Sequence, residues 1–295
     1  MAAIETTDAA AAGTVGLGGD TQVRRLGYGA MRITGDGIWG PPKDRDAAIA
    51  VLRRAVELGV NFIDTADSYG PEVSEELIAE ALHPYPGGLV VATKGGLTRS
   101  GPSQWERDGR PEHLREACEG SLRRLRVERI DVYQLHAVDS EVPLEESVGT
   151  LSELRDEGKV GHVGVSNFDT DQLARAREIV PIVSVQNRYS IGDRVAEPAL
   201  EVCDRDGIAF IPWFPLASGG LDAEGALSRI ADAHEATPFQ VALAWLLARS
   251  PVMLPIPGTS SVAHLEENVA AAAIELSEAE FGALDREGRA QTRAA

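Results

Sequence analysis

Several short apolar runs in this chain end in residues able to donate, accept or carry a proton. Phe62-Ile63 is followed by Asp64, and Tyr69 lies five positions on in Asp64-Thr65-Ala66-Asp67-Ser68-Tyr69-Gly70. Val90-Val91-Ala92-Thr93 is followed by Lys94, Tyr133-Gln134-Leu135 by His136, Gly164-Val165 by Ser166-Asn167, and Val185 by Gln186-Asn187. A lysine straight after a hydrophobic strand has no route to water and must be paired; Asp64 on a neighbouring strand is the expected partner. An ammonium beside a phenol favours the phenolate, so Tyr69 is expected below the tyrosine reference of about 10, as a proton donor usable near neutral pH. A neutral His136 could donate one hydrogen bond to a substrate oxygen and polarise a carbonyl. The set holds no strong nucleophile, and no group of histidines and carboxylates has metal-ligand spacing. A proton donor and a carbonyl polariser without a nucleophile imply that hydride comes from a bound cofactor. Taken singly, each residue has a plain structural use: Asp64 or Asp67 as a helix cap, Lys94 as an ion-pair member, His136 as a satisfied core histidine, Tyr69 as packing. Four such residues at one end of adjacent strands argue for chemistry.

The elements that must position these residues follow a recurring joint. A helix-period run ends at a glycine and a short apolar strand begins at once: Glu57-Leu58-Gly59 before 60–64, Asp156-Glu157-Gly158 before 160–166, Arg205-Asp206-Gly207 before 208–212. Glycine at that place takes the left-handed conformation that ends a helix. Ile49, Leu52 and Val56 share one helical face, as do Leu144, Val148 and Leu151. With the runs 26–31, 89–93, 130–135, 182–185 and 252–256, about eight strands alternate with helices, the pattern of a parallel sheet buried on both sides. This predicts an α/β fold of one domain, a (β/α)8 TIM barrel, with its chemistry at the C-terminal strand ends. The glycines Gly13, Gly16, Gly18 and Gly19 precede Asp20-Thr21-Gln22-Val23 rather than a helix. They therefore predict a short N-terminal β-hairpin closing the barrel floor, not a dinucleotide-binding turn. The expected boundaries are a flexible tail over 1–14, the barrel over 15–288 and a C-terminal tail over 289–295.

Composition narrows the partners. Of 295 residues, 43% are hydrophobic and 25% charged, and 46 Asp and Glu against 28 Lys and Arg leave a net charge of −18. That balance argues against nucleic acid or an anionic membrane as partner. No apolar run approaches the roughly 20 residues that span a bilayer, and the N-terminus lacks a secretory signal's basic region, so the expected address is the cytoplasm. Cys118 and Cys203 sit in apolar helical contexts and are expected to be buried and inert. Nothing in the pattern of the barrel exterior selects an oligomeric state.

These residues resemble the aldo-keto reductase family over about positions 20–285. The string 62–70 is similar to the family's Asp/Tyr signature, and Lys94 and His136 fall where its catalytic lysine and histidine lie. The resemblance implies that Asp64, Tyr69, Lys94 and His136 are catalytic. It implies that Ser166, Asn167 and Gln186 bind the nicotinamide amide, with Trp213 stacking under the ring and Leu216 and Ser218 in a pyrophosphate-contacting loop. Pro257-Gly258-Thr259-Ser260-Ser261-Val262-Ala263-His264-Leu265-Glu266-Glu267-Asn268 resembles the adenine end. There Thr259 and Ser260 are expected near the ribose 2′-phosphate, and Glu267 and Asn268 at adenine. Many members carry Lys and Arg where this chain has Gly258 and His264, and those cations favour NADP over NAD. The implied cofactor is NADP(H), with NAD(H) as the alternative, and the implied partner is a small-molecule carbonyl substrate. Arg25-Leu26-Gly27-Tyr28-Gly29-Ala30-Met31 and Gly40-Pro41-Pro42-Lys43-Asp44-Arg45 are similar to the bacterial pyridoxal reductase (pyridoxine dehydrogenase) branch, which implies reduction of pyridoxal to pyridoxine. Trp39 and Trp105, the latter in a polar loop over 95–108, are expected as substrate-pocket walls, with 190–197 as a further selectivity segment. Two other readings stand beside this one: a non-catalytic, cofactor-sensing regulatory subunit, and a lyase using Lys94 as a Schiff-base nucleophile.

Overall fold

In the computed structural model, which describes residues 7–214 and 225–294, the strand–helix alternation closes into a barrel. Seven parallel strands pair in the spatial order β11, β10, β9, β8, β5, β4, β3. In chain order these are β3 (Tyr28–Gly29), β4 (Phe62–Asp64), β5 (Val90–Gly95), β8 (Ile130–Leu135), β9 (Val160–Ser166), β10 (Ile182–Arg188) and β11 (Ala209–Trp213). Residues 252–256 fill the eighth place. Phe210 N donates to Val252 O at 2.9 Å, Leu254 N to Phe210 O at 2.8 Å and, on the other side, Gly27 N to Pro255 O at 2.9 Å. This segment makes few ladder bonds because Pro251, Pro255 and Pro257 carry no N–H.

Outer helices connect or follow the strands: α1 (Arg45–Glu57), α2 (Val73–Leu82), α3 (Pro111–Leu125), α4 (Leu144–Asp156), α5 (Thr170–Ile179), α6 (Glu197–Asp206), α7 (Ala226–Ala233), α8 (Pro238–Arg249), α9 (Val262–Ala270) and α10 (Glu278–Ala294). The glycine joints behave as expected: Gly59 and Gly207 take φ of 80° and 68° at the ends of α1 and α6, a region that other residues enter only with strain. Side-chain alternation divides the core. Phe62, Val90 and Ala92 join one apolar cluster with Val15, Leu17 and Val23, whereas Ile63 and Val91 join another with Leu52 of α1 and Ile78 of α2. Successive residues of β4 and β5 thus serve opposite faces.

The N-terminal hairpin is present, as β1 (Thr14–Leu17) paired antiparallel with β2 (Thr21–Arg24). It covers the N-terminal strand ends, where a Cβ on Gly18 would run into His162 of β9 and Val183 of β10. Three expectations need correction. Within the stretch expected as a flexible tail over 1–14, Ala9–Ala12 form a 3-10 turn capped by Asp8, and Ala9 is fully buried, its N donating to Leu58 O at 2.9 Å. The tail expected over 289–295 is helical as far as Ala294, because α10 runs through it. The loop after β5 is a second hairpin, β6 (Leu97–Gly101) against β7 (Gln104–Arg107). Cys118 and Cys203 are free and buried, and burial pushes both thiols up to about 12. Among the described residues no helix is long and apolar enough to cross a membrane.

Candidate active site

The period of two that buries Phe62 and Ala92 carries Asp64 and Lys94 onto the inner face, at the C-terminal ends of β4 and β5. Lys94 is completely buried, and its three ammonium hydrogens have three acceptors: Asp64 Oδ2 at 2.7 Å, Thr65 O at 2.8 Å and Tyr69 Oη at 3.4 Å. Past β4 the chain continues beside β5, with Thr65 N on Ala92 O at 2.8 Å and Asp67 N on Lys94 O at 3.3 Å, and then turns, Tyr69 N donating to Ala66 O at 3.2 Å. That turn returns the phenol to the ammonium. His136, just past β8, is anchored through its backbone N on Gly95 O at 2.9 Å, and its ring meets Tyr69 edge-on at 5.8 Å. Its Nδ1 lies 3.4 Å from Ser68 Oγ.

Charge and burial compete here. Burial opposes the Lys94 ammonium, but Asp64 and Tyr69 outweigh it and hold Lys94 above the ordinary lysine range. Burial together with the Lys94 charge holds His136 well below the usual imidazole value, so the ring is neutral at neutral pH. Tyr69 departs from the sequence expectation. Lys94 does pull the phenol down, but burial pushes it up more strongly, and it ends above its ordinary value. Spacing along the chain reveals the neighbouring charge but not how much water has been excluded.

Two glutamines complete the arrangement. Asp64 Oδ1 accepts from Gln186 Nε2 at 2.7 Å and from Gln134 Nε2 at 3.2 Å. Gln134 did not stand out in the sequence as a site residue. It sits opposite Lys94 in the β5–β8 ladder and is fully buried; an amide two residues before His136, next to the end of the strand, was the available signal.

A cavity of about 800 Å³ opens above this group, lined by Asp64, Tyr69, His136, Ser166, Asn167, Gln186 and Trp213 at one end. Gly258, Thr259, His264, Glu267 and Asn268 line the other. Ser260 lies outside it, on an adjoining cavity shared with Arg32 and Lys43. Leu216 and Ser218 lie outside the described residues. Asn167, in the left-handed region at φ 61°, donates through Nδ2 to His136 O and Ser166 Oγ, both at 3.0 Å, and accepts from Trp213 Nε1 at 3.0 Å. Ser261 caps α9, and Thr259 Oγ1 accepts from Ser261 N at 3.1 Å. Trp105 lines the cavity, edge-on to both Tyr69 at 6.3 Å and His136 at 6.4 Å. Trp39 does not line it and stands one layer back. Nor does the segment 190–197, whose Arg194 instead pairs with Asp285 of α10 at 2.7 Å.

Comparison with known proteins gives the family. The model of the aldo/keto reductase family matches residues 25–287. A Schizosaccharomyces pombe protein named uncharacterized oxidoreductase C215.11c is 52% identical over 98% of this chain and 94% of its own length. Pyridoxine 4-dehydrogenase of Escherichia coli is 45% identical over 90% of this chain and 96% of its own. A Klebsiella pneumoniae aldo/keto reductase, solved in complex with NADP and acetate, superimposes with a TM-score of 0.78 at 29% identity, covering 93% of this chain and 94% of that one. The chain belongs to the aldo/keto reductase family.

Proposed function

We propose that this chain reduces aldehydes or ketones to alcohols with NADPH, and that pyridoxal is among its substrates. The observation that carries the reading is the Tyr69 hydroxyl, 3.4 Å from a buried, Asp64-paired ammonium at the floor of a cavity walled by neutral His136. The donor set suits a nicotinamide. Gln186 spends Nε2 on Asp64 and keeps Oε1 as an acceptor, while Ser166 accepts from Asn167 and keeps its own hydroxyl hydrogen as a donor. One acceptor and one donor, both lining the cavity, complement a carboxamide. Trp213, pinned by its bond to Asn167, offers a flat face beside them. At the far end, Thr259 and Ser260 at the start of α9 suit an anion such as a ribose 2′-phosphate, with Gly258 leaving the backbone accessible. His264, Glu267 and Asn268 stand where the adenine would lie. The NADP-bound Klebsiella pneumoniae relative supports NADPH over NADH.

When bound, the reduced nicotinamide supplies hydride to the carbonyl carbon. The chain's residues handle the oxygen. His136 donates a hydrogen bond to it through Nε2, the ring nitrogen not committed to Ser68, and so favours the developing negative charge. Tyr69, raised above its ordinary value, carries its proton throughout the neutral range and transfers it to the alkoxide. The phenolate left behind faces Lys94, which Asp64 and the two glutamines hold in place. Carbon gains hydride, oxygen gains a proton, and Tyr69 regains its own from solvent. A lyase using Lys94 fits less well, because the ammonium lies beneath the cavity with every hydrogen engaged.

The test is a panel of aldehydes including pyridoxal, followed through NADPH absorbance with NADH in parallel and Tyr69→Phe as the control. Turnover by the parent with NADPH and its loss in Tyr69→Phe is the expected result. Turnover of generic aldehydes without pyridoxal would remove the substrate assignment and leave the reaction class. A Tyr69→Phe protein as active as the parent would remove the acid assignment.

A further inference from the structure

The β6–β7 hairpin forms a wall of the site, and a single residue fastens it. Arg99 has no carboxylate partner among the described residues, yet all five of its guanidinium N–H groups are engaged by backbone carbonyls. Nε donates to Gln104 O at 2.7 Å. Nη1 donates to Ile38 O at 2.7 Å and Ser68 O at 3.0 Å, and Nη2 to Gly37 O at 2.9 Å and Gly101 O at 3.2 Å. These carbonyls belong to three segments: the loop after β3, the turn that carries Tyr69, and the hairpin itself. Ser103 N adds a bond from the hairpin tip to Gly37 O at 2.9 Å. The guanidinium carbon lies over the Trp105 ring, 3.7 Å from its centroid, and 5.7 Å from the centroid of Trp39.

We propose that Arg99 is a specificity-determining positioning residue, which seats Trp105 beside Tyr69 and His136 and makes this end of the cavity select flat, uncharged aromatic carbonyl compounds over carboxylate-bearing ones. The inference rests on the reductase reading above and names its substrate class. Two physical points carry it. Trp105 presents a flat apolar wall within 6.4 Å of both Tyr69 and His136, and the cation that fixes its pose touches neither. That cation also has no N–H left to receive a substrate anion, since guanidinium offers five donors and all five are used. Arg99 stands behind Trp105 and does not itself line the cavity; the arginine that does among the described residues, Arg32, lies at the opposite end, its Cγ 3.7 Å from where a Cβ on Gly258 would stand. Replacing Arg99 takes one donor from each of five carbonyls and uncovers a tryptophan face, so the wall loosens without any group that touches the reacting atoms being removed.

The experiment compares benzaldehyde with 4-carboxybenzaldehyde in the parent, Arg99→Ala and Arg99→Lys, measuring KM, kcat and NADPH binding separately. The parent is expected to favour benzaldehyde. Arg99→Ala should raise the benzaldehyde KM about tenfold, as loss of the stacked cation and its bonds implies, and should flatten the preference between the two aldehydes. kcat should change less than KM, NADPH affinity should be unchanged, and added guanidinium ion should restore part of the lost KM. Lysine keeps the charge but has three donors and no plane, so Arg99→Lys should resemble Arg99→Ala. That variant carries the test if the alanine protein does not fold. Unchanged KM and preference in an active variant would overturn the proposal, as would parent-like behaviour of Arg99→Lys or an equal loss of NADPH binding. A parent inactive on both but active elsewhere on the aldehyde panel would overturn the proposal, whereas a parent inactive on the whole panel would overturn the reductase reading on which it rests.

Discussion

Strand β5 carries two buried charge clusters back to back, on adjacent residues. On its inner face Lys94 meets Asp64 and Tyr69; on its outer face Thr93 donates to Glu75 Oε1 at 2.5 Å, and Arg124 Nε donates to Glu75 Oε2 at 2.6 Å. Lys94 and Glu75 are both fully buried, and in both clusters the charge is held by an opposite charge plus a hydroxyl. Burial and pairing therefore do not distinguish a reactive group from a structural one. The difference lies in what is left over. The outer cluster is sealed between α2 and α3, with both Glu75 oxygens engaged. The inner one ends in a phenol whose one hydrogen bond among the described residues is to Lys94 and which faces a cavity of about 800 Å³. A saturated ion pair holds helices to a sheet; the same arrangement with one proton facing open space can do acid chemistry.

The largest test of that contrast is on the inner face. Tyr69→Phe removes one oxygen and should lower kcat for carbonyl reduction on the order of 10³-fold, the typical worth of a general acid. NADPH binding, followed by quenching of tryptophan fluorescence, should persist. A residual rate within tenfold of the parent would mean the inner cluster is as structural as the outer.

The outer face should fail in the opposite way. Arg124→Met leaves Glu75 buried without its cation and should destabilise the fold by about 3–5 kcal/mol, read from urea unfolding, with kcat of the folded fraction kept. If activity fell and stability did not, the two faces would have been assigned the wrong way round.

The pH profile sharpens the inner face alone. The reaction needs the protonated phenol, which is present below its pKa and lost as pH rises through it. Because Tyr69 is raised, kcat for reduction should stay level through the neutral range and fall only beyond the ordinary tyrosine range of about 10. Because His136 is held well below its usual value, no inflection should appear near the imidazole reference of about 6.5. Steady-state rates across that range check both limbs. The smallest effect is expected from Thr93→Val, which removes one hydrogen bond to Glu75: about 1 kcal/mol in unfolding and no change in kcat.

Much of the site was legible before the fold was seen, and the reason is local. Asp64, Lys94 and His136 each follow an apolar strand directly, so a parallel barrel brings them to one end whatever the rest of the chain does. The Asp64–Lys94 pair followed from the inability of a buried ammonium to stand alone. Gln134 was not found because a glutamine inside an apolar strand carries no spacing signal; its partner is 70 positions away. Trp39 lies outside the cavity lining, against the sequence expectation, since a loop tryptophan shows that it will pack but not against which face. Arg99 is silent in the sequence because every acceptor it uses is a backbone carbonyl, and carbonyls have no residue identity to read.

By itself, then, the amino-acid order determined the rhythm of strand and helix, the ionisable group at each strand end, the glycine joints and the family pattern. All of these are encoded within a few residues of one another. Only the tertiary structure decided the direction of the Tyr69 shift, the use of two glutamines to hold Asp64, the second hairpin fastened by Arg99, and the contrast between the two faces of β5. Desolvation and hydrogen-bond saturation depend on atoms that the chain brings together from distant positions.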